Sequence, residues 1–284
     1  MVVSLENVLD DKFIHSLDGA KSVGIDIGSR GSKAVLIYNG KLYTNMVPSG
    51  VSSKKTAEQL LESLLQESGV AKEELDGIVG TGYGSIAMEF PGISFHPVTE
   101  ITCHALGAHY MHAATKTVID IGGQDSKTIK VNHNDGKVID FIMNDKCAAG
   151  TGRFLEKVAQ ILDLSLDEMG EAVLASKNPS EISSQCVVFA ESEVISLRAT
   201  GSLKEDIAYG IHLATARRIQ SLLKRTGFEK DILFTGGVSN NKGMKRALEE
   251  VIGEELAETK FDTTYAGALG AAITAYQLKK VKQE

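Results

Sequence analysis

Two short segments of the chain place an aspartate, a glycine, a serine and a lysine at the same spacing, and these residue types suit phosphate binding. The matched residues are Asp26, Gly28, Ser32 and Lys33 in the first segment and Asp120, Gly122, Ser126 and Lys127 in the second. Glycine lets a backbone approach a phosphate closely, and the N–H groups of a tight loop can surround its oxygens. An aspartate at a strand end can hold Mg²⁺, directly or through water. Two such loops facing each other across a cleft would therefore grip a polyphosphate from both sides.

The repeat carries more weight than either copy alone. Glycine and aspartate are also common in ordinary β-turns, so a single copy would be weak support for a phosphate site. Every matched pair lies 94 positions apart, as Asp26 and Asp120 do. A repeat of this kind indicates two similar domains and favours phosphate binding over two unrelated turns.

A third glycine pair follows a short apolar segment near the end of the chain. The pattern predicts a strand over Ile232–Thr235, then Gly236 and Gly237, then a helix from about Lys242. A flat glycine surface of this kind fits the sugar and base of a nucleotide. Residues 265–277 form a predicted helix rich in glycine and alanine, which permits close packing against another element.

Two of the three cysteines each precede a predicted helix. After Cys147, the apolar residues at 154, 155, 158, 161 and 162 share one helical face, and a similar pattern follows Cys186. A helix N-terminus favours a thiolate, so either cysteine could be a nucleophile, a metal ligand or a small buried residue. Two thiolates do not complete a tetrahedral site or a [4Fe–4S] cluster, which need four ligands, but a two-fold dimer would supply them.

The remaining cysteine has a simpler interpretation. Cys103 lies near His104, His109 and His112, and a metal site there is conceivable. A small buried thiol among partly buried imidazoles explains the segment better. Glu191 and Glu193 are expected to cap the helix after Cys186, where negative charge is favourable.

Composition narrows the classes of partner. The formal charge is −7 and no long Lys/Arg block occurs, which argues against nucleic acid or an anionic membrane as the main partner. No apolar run approaches the roughly 20 residues of a membrane span. The N-terminal segment is acidic and lacks the basic start of a signal peptide, so we expect a cytoplasmic protein in which cysteines stay reduced.

The strands and helices that must position these residues are predicted to form a mixed α/β fold. In each copy of the repeat an apolar strand enters the glycine loop, a second strand leaves it, and a turn at Asn39-Gly40 or Asp135-Gly136 starts a third. The pattern of Thr56–Ser68 predicts a helix ending at Gly69. The first 20 residues are expected to form an added helix or a loose tail.

The glycine motifs together resemble those of the actin, heat-shock chaperone and sugar kinase superfamily of ATPases. Asp26–Lys33 is similar to the first phosphate loop of that superfamily, Asp120–Lys127 to the second, and Thr235–Asn241 to the adenosine motif. The resemblance implies two ribonuclease-H-like lobes with a nucleotide cleft between them, an actin-like ATPase fold. Residues 21–114 plus 263–284 are then predicted to form lobe I, residues 115–262 lobe II, and residues 1–20 an N-terminal extension.

The cysteine segments make the resemblance more specific. "NDKCAAGTGRFLE", "CVVFAESEVISL", "DIGGQDSK" and "GGVSNN" resemble the BadF/BadG/BcrA/BcrD-type ATPases, which include ATP-dependent activators (archerases) of 2-hydroxyacyl-CoA dehydratases. This implies a homodimer with one oxygen-sensitive [4Fe–4S] cluster, held by Cys147 and Cys186 of both subunits. It also implies that ATP and Mg²⁺ drive a low-potential electron to a partner iron–sulfur dehydratase or reductase, or a related double-cubane protein. A ferredoxin or flavodoxin is the implied donor.

The resemblance also assigns roles to single residues. It places the β- and γ-phosphates against Ser29, Arg30, Gly31, Ser32 and Lys33. Gly122 and Gly123 are expected to face the γ-phosphate, while the nucleoside lies against Gly236, Gly237 and Asn240. Catalytic roles fall to Asp26 and Asp120, near Mg²⁺ through waters, and to Gln124, which would orient the attacking water. Because a neutral amide is a poor base, hydrolysis should be slow until the lobes close.

Two other function classes stay open from the sequence. A small-molecule kinase, such as an amino-sugar kinase, could use Asp125 as its base, but it would leave the cysteine loops unexplained. A redox sensor could use cluster and nucleotide as signals only. The sequence names neither the electron acceptor and its substrate nor the physiological donor.

Overall fold

The computed structural model describes residues 1–85, 88–183 and 186–283, without the side chains of residues 282 and 283. Residues 184 and 185, just before Cys186, and residue 284 of the predicted lobe I therefore lie outside the described residues. The strands are β1 (Val2–Ser4), β2 (Lys21–Ile27), β3 (Gly31–Tyr38), β4 (Lys41–Pro48), β5 (Gly77–Thr81), β6 (Phe95–Pro97), β7 (Thr117–Ile121), β8 (Ser126–Val131), β9 (Val138–Asn144) and β10 (Ile232–Thr235). The helices are α1 (Ser53–Ser68), α2 (Glu100–Met111), α3 (Gly152–Leu162), α4 (Leu166–Ala175), α5 (Val187–Ala199), α6 (Lys204–Thr226), α7 (Lys242–Ile252) and α8 (Ala266–Gln283).

The strands form two sheets built on one plan. The first has the order β1-β4-β3-β2-β5-β6 and the second the order β10-β7-β8-β9. In the first sheet β2, β3 and β4 are antiparallel neighbours and β5 is parallel to β2. In the second sheet β7, β8 and β9 repeat the antiparallel set and β10 is parallel to β7. The internal repeat predicted from the sequence is therefore present in the topology.

The repeat extends to single pairs of residues. Asp26 stands opposite Lys33 in the β2–β3 hairpin, and Asp120 stands opposite Lys127 in the β7–β8 hairpin. The turn between β3 and β4 uses Asn39 and Gly40 at φ values of 49° and 68°, the left-handed conformation that a two-residue hairpin turn requires.

The predicted helix before Gly69 is confirmed as α1. Ser52 caps its start by accepting a hydrogen bond from the Lys55 N–H, and Gly69 ends it at a φ of 71°. Leu60, Leu61 and Leu64 are buried in the core of the first sheet. The apolar spacing read from the sequence thus fixes which face of α1 packs on the strands.

Helices α2 and α8 pack directly against each other beside both sheets. A Cβ on Gly107 would lie 1.9 Å from the Ala266 carbonyl oxygen, and a Cβ on Gly270 would lie 1.9 Å from the Cys103 carbonyl oxygen. Only glycine permits this contact, which confirms the predicted close packing of the last helix. The buried cluster around the pair contains residues of both sheets, Ile37 and Ile129 among them, so the two helices join the sheets.

The first 20 residues are not a loose tail, and the expected added helix is present only as 3₁₀ helices at Leu5–Asn7 and Asp11–Leu17. The segment starts with β1, which pairs with β4 and extends the first sheet. Its apolar side chains Leu5, Val8 and Leu9 are at most 3% exposed and join the cluster around α8. Burial of this apolar surface holds the segment on the fold. The lobe boundaries themselves stay a prediction.

No helix in the described ranges has both the length and the apolar character needed to span a membrane.

Candidate functional site

The two predicted phosphate loops face each other. A Cβ on Gly123 of the second loop would lie 2.6 Å from Arg30 Cγ and 2.8 Å from Ser29 Oγ of the first loop. Between the loops is a narrow cavity of about 60 Å³. The predicted site residues among its lining are Asp26, Ser29, Arg30, Gly31, Lys33, Asp120, Gly122, Gly123, Gly236 and Gly237.

Three residues of the predicted nucleotide site do not line this cavity. Ser32 is buried beneath the first loop, where its Oγ is 2.8 Å from Ser49 Oγ. Gln124 is exposed and does not line the cavity. Asn240 lines a neighbouring cavity, and its Nδ2 donates to Asp262 Oδ2 at 3.0 Å.

A buried lysine sits at the base of the narrow cavity. Lys127 Nζ is 3.1 Å from Asp120, 2.9 Å from Asp125 and 3.0 Å from Glu100. Burial opposes ionisation of Asp120, yet His104 and Lys127 beside it hold its pKa below the ordinary value. Burial alone would lower the pKa of Lys127, but the three carboxylates raise it. Lys127 is therefore a fixed positive charge that orders the acidic groups of the site.

Asp125 is held on both sides and does not suit a free base. One of its oxygens pairs with Lys127, and the other accepts a hydrogen bond from Tyr83 Oη at 2.9 Å. A phenol is protonated at neutral pH, so Tyr83 stays the donor in this bond. Both oxygens of Asp125, the residue that a sugar-type kinase would need as its base, are therefore already paired with other side chains.

One oxygen of Asp120 lacks a hydrogen-bond partner among the described residues. Oδ2 accepts from Lys127, while Oδ1 is buried and unpaired, with His104 Nδ1 at 3.7 Å. Asp26 lines the same cavity from the first hairpin. A buried unpaired carboxylate oxygen requires a partner such as a cation or its bound water. The residues present therefore fit Mg²⁺ held between the two aspartates.

The sequence reading missed a second symmetric feature. Thr81 stands beside Asp26 as Thr235 stands beside Asp120. The next residues, Gly82 and Gly236, have φ values of 81° and 91°, and a Cβ on either would lie within 2.8 Å of the aspartate. Thr-Gly after an apolar strand is thus part of both half-sites. The shared dipeptide was a signal, but it follows Asp120 at a greater sequence distance than it follows Asp26, because more helices lie between β7 and β10 than between β2 and β5.

A second cavity of about 150 Å³ adjoins the first and shares Arg30, Gly123 and Gly237 with it. Its other lining residues include Leu155, Glu156, Asp167, Asn240 and Asn241. Phosphates in the first cavity and a nucleoside in the second would suit the two spaces. The sequence reading did not identify Glu156, because it lies on α3, far along the chain from either glycine loop.

The helix after Cys147 is bonded to the second glycine loop. Gly152 N donates to the Gly122 carbonyl and Arg153 N donates to the Gly123 carbonyl, both at 2.9 Å. Cys147 is half-buried, and Asn144 Nδ2 donates to its carbonyl at 2.8 Å. The loop that carries Cys147 is therefore fixed between strand β9 and the phosphate loop.

Cys186 lies at the start of α5 on an open surface. Its side chain is exposed and makes no capping bond. Val188, Phe189 and Ile195 on the same helix are each more than half exposed. An exposed thiol beside apolar side chains suits a group that is enclosed by a second subunit.

Cys103 differs from the other two cysteines, as expected. It is fully buried, and this burial raises the pKa of its thiol to about 12. In the part of the chain that the structure describes, no group of three or more His, Cys, Asp or Glu residues could hold a metal ion. Cys147 and Cys186, in contrast, are half-buried and exposed, so a second copy of the chain could reach their thiols.

The expected capping role of Glu191 and Glu193 is wrong. Helix α5 has no acidic residue in its first turn, and both glutamates come later. Glu193 instead accepts hydrogen bonds from the backbone N–H and the hydroxyl of Ser183, at 3.1 Å each. Glu193 therefore holds Ser183, which lies three positions before Cys186 in the sequence.

The family match and the similar proteins of known name point to one family of ATPases. Residues 23–275 match the BadF/BadG/BcrA/BcrD ATPase family. The 2-hydroxyisocaproyl-CoA dehydratase activator of Clostridioides difficile is 40% identical over 265 residues, which cover 93% of this chain and 97% of the relative.

Solved structures confirm the predicted fold. An activator of the 2-hydroxyisocaproyl-CoA dehydratase from Clostridium difficile, with bound ADPNP, superposes with a TM-score of 0.84, covering 92% of this chain and 96% of that chain at 40% identity. A ROK family glucokinase from Streptomyces griseus shares only the fold, with a TM-score of 0.54 at 14% identity over 90% of this chain and 99% of the other.

Proposed function

Because the chain belongs to the BadF/BadG/BcrA/BcrD ATPase family, we propose that it is an ATP-dependent activator that passes a low-potential electron to a partner iron–sulfur dehydratase or reductase. The observation that carries the proposal is the pair of backbone hydrogen bonds from Gly152 and Arg153 to the second glycine loop. They join the site of a γ-phosphate to the helix that follows Cys147.

The nucleotide binds between the two glycine loops. Ser29, Arg30 and Lys33 face its β- and γ-phosphates, with Gly31 and the buried Ser32 shaping the loop, and Gly122 and Gly123 face the γ-phosphate. The nucleoside occupies the adjoining cavity beside Gly236, Gly237 and Asn240. Asp26 and Asp120 hold Mg²⁺ through water. Gln124 is exposed in this structure, so its loop must turn inward before the amide can orient the attacking water.

Two copies of the chain complete the metal site. Cys147 and Cys186 of each subunit hold one shared [4Fe–4S] cluster, and the exposed apolar residues of α5 pack at the interface. When bound, the cluster supplies one-electron transfer. Helix α5 begins directly after Cys186, so the N–H groups of its first turn would be available to stabilise the charge of an anionic cluster.

Nucleotide and cluster sites are coupled through α3. Any shift of Gly122 and Gly123 on binding or losing the γ-phosphate acts on Gly152 and Arg153 through two hydrogen bonds. Because α3 is a rigid element, the shift reaches the segment of Cys147. A ferredoxin or flavodoxin in the cytoplasm re-reduces the dimer, and air destroys the cluster.

Iron content and native mass test the proposal. Anaerobically reconstituted protein should contain about four irons and four sulfides per dimer. Cys147→Ala and Cys186→Ala should each lose the cluster and weaken the dimer, whereas Cys103→Ala, the matched control at a buried thiol, should keep both. Full iron content in Cys147→Ala would refute the ligand assignment.

A further inference from the structure

A buried histidine lies between the two aspartates of the nucleotide site. His104 projects from α2, is 5% exposed and lines the narrow cavity. Its Nδ1 is 3.1 Å from Thr235 Oγ1 and 3.7 Å from Asp120 Oδ1. On the other side of the ring, the position of a Cβ on Gly267 would be 2.7 Å from His104 Nε2 and 3.1 Å from Asp26 Oδ2. The imidazole therefore reaches both half-sites.

The hydrogen bonds around the ring fix its orientation. Thr235 Oγ1 donates to the Ile119 carbonyl at 3.5 Å, which leaves the hydroxyl oxygen free to accept from His104 Nδ1–H. The absence of a side chain at Gly267 gives the Nε2 edge its space. The ring is thus held by one hydrogen bond and by close packing against α8.

His104 restricts the one oxygen of Asp120 that lacks a hydrogen-bond partner within the described residues. Lys127 holds Oδ2 at 3.1 Å, and the His104 ring flanks Oδ1 at 3.7 Å. With one oxygen bonded to Lys127 and the other beside the imidazole, rotation of the Asp120 carboxylate is restricted. We propose that His104 is a positioning residue that holds Asp120 Oδ1 in the orientation needed to receive Mg²⁺ or its bound water.

The inference rests on the proposed nucleotide site and adds a residue to it. Residues that orient a metal-facing group without touching the metal are worth about 10- to 100-fold in metal affinity or activity. Loss of the His104 ring should therefore weaken the metal in the nucleotide complex by a factor in this range.

Mn²⁺ binding to the ADP complex, followed by EPR, tests the role without measuring turnover. Asparagine places its amide nitrogen where the imidazole has Nδ1, whereas glutamine places it where the imidazole has Nε2. His104→Asn should keep Mn²⁺ affinity close to wild type, and His104→Gln and His104→Ala should lose about 10- to 100-fold. His15→Ala, at a ring that is 89% exposed, is the matched control.

Each outcome decides the matter. Wild-type Mn²⁺ affinity in His104→Ala and His104→Gln, or a loss in His104→Asn as large as in His104→Ala, would refute the positioning role. If the His104 variants do not fold, Thr235→Val removes the ring's hydrogen-bond acceptor at constant volume, and it should weaken Mn²⁺ in the same direction. A wild-type protein that binds no Mn²⁺ with ADP would instead refute the proposed nucleotide site.

Discussion

Arg30 of the first glycine loop donates a hydrogen bond from Nε to Oε1 of Glu156 on α3, at 3.0 Å, across 126 positions of sequence. The pair bridges the two halves of the cleft where the phosphate and nucleoside cavities meet. A nucleotide that fills both cavities has to pass this contact. Arg30 and Glu156 therefore connect the first glycine loop to the same helix that the second glycine loop holds.

The Arg30–Glu156 pair should respond to nucleotide. Because the pair is partly exposed, a double-mutant cycle with Arg30→Gln and Glu156→Gln should give a coupling of about 0.2–1 kcal/mol without nucleotide. Saturating ADP should remove the coupling, since Arg30 then faces phosphate. Urea unfolding measures both values, and a coupling that ADP leaves unchanged would argue against the exchange.

Gln124 should matter for turnover more than for binding. Gln124→Ala should lower kcat for ATP hydrolysis by about tenfold or more with little change in KM, because a water-orienting group acts mainly in the transition state. Gln66→Ala, at an exposed position on α1, is the control. Steady-state phosphate release measures the effect, and unchanged kcat would overturn the role.

Lys127 should be essential for stability. Lys127→Met leaves the buried Asp120 and Asp125 and the partly buried Glu100 without their shared cation, so the free energy of unfolding should fall by about 3–5 kcal/mol. Lys130→Met breaks the half-exposed pair with Glu229 and should cost about 1 kcal/mol or less. Chemical denaturation compares the two, and equal losses would contradict this account of the buried cluster.

His212 should make the fold sensitive to mild acid. It is fully buried on α6, and burial lowers its pKa to about 4, below the value of about 6.5 expected in the unfolded chain. Between these pH values the unfolded chain binds a proton that the folded chain does not bind. The free energy of unfolding therefore falls by up to about 3 kcal/mol as the pH is lowered from 6.5 to 4.

His212→Leu should remove this part of the pH dependence. The difference in unfolding free energy between wild type and variant should therefore change between pH 6.5 and 4 and stay constant above pH 7. His15→Ala should show no such change, because that ring is exposed. Parallel slopes for wild type and His212→Leu would refute the assignment.

The sequence predicted the features that depend on local pattern. The repeat of Asp26 and Asp120, helix α1, helix α3 and the buried Cys103 follow from spacing and apolar periodicity, and all are present. These features need only neighbouring residues to be recognised.

Features that depend on folding at long range were missed or misread. His104 meets Thr235 across 131 positions, and no local pattern distinguishes it from an ordinary core histidine. Glu156 meets Arg30 in the same way. The N-terminal segment is expected to be an added helix or a loose tail, but its apolar residues pack into a cluster that α2, α8 and both sheets form only in the folded chain.

The EPR spectrum of the reduced cluster with and without ATP tests the central claim most directly. The account predicts that anaerobically reconstituted, dithionite-reduced protein shows a cluster signal that MgATP changes relative to MgADP, and that Asp120→Asn loses the change. An identical spectrum with both nucleotides, or an iron-free protein that still hydrolyses ATP after reconstitution, would contradict the coupling of nucleotide and cluster.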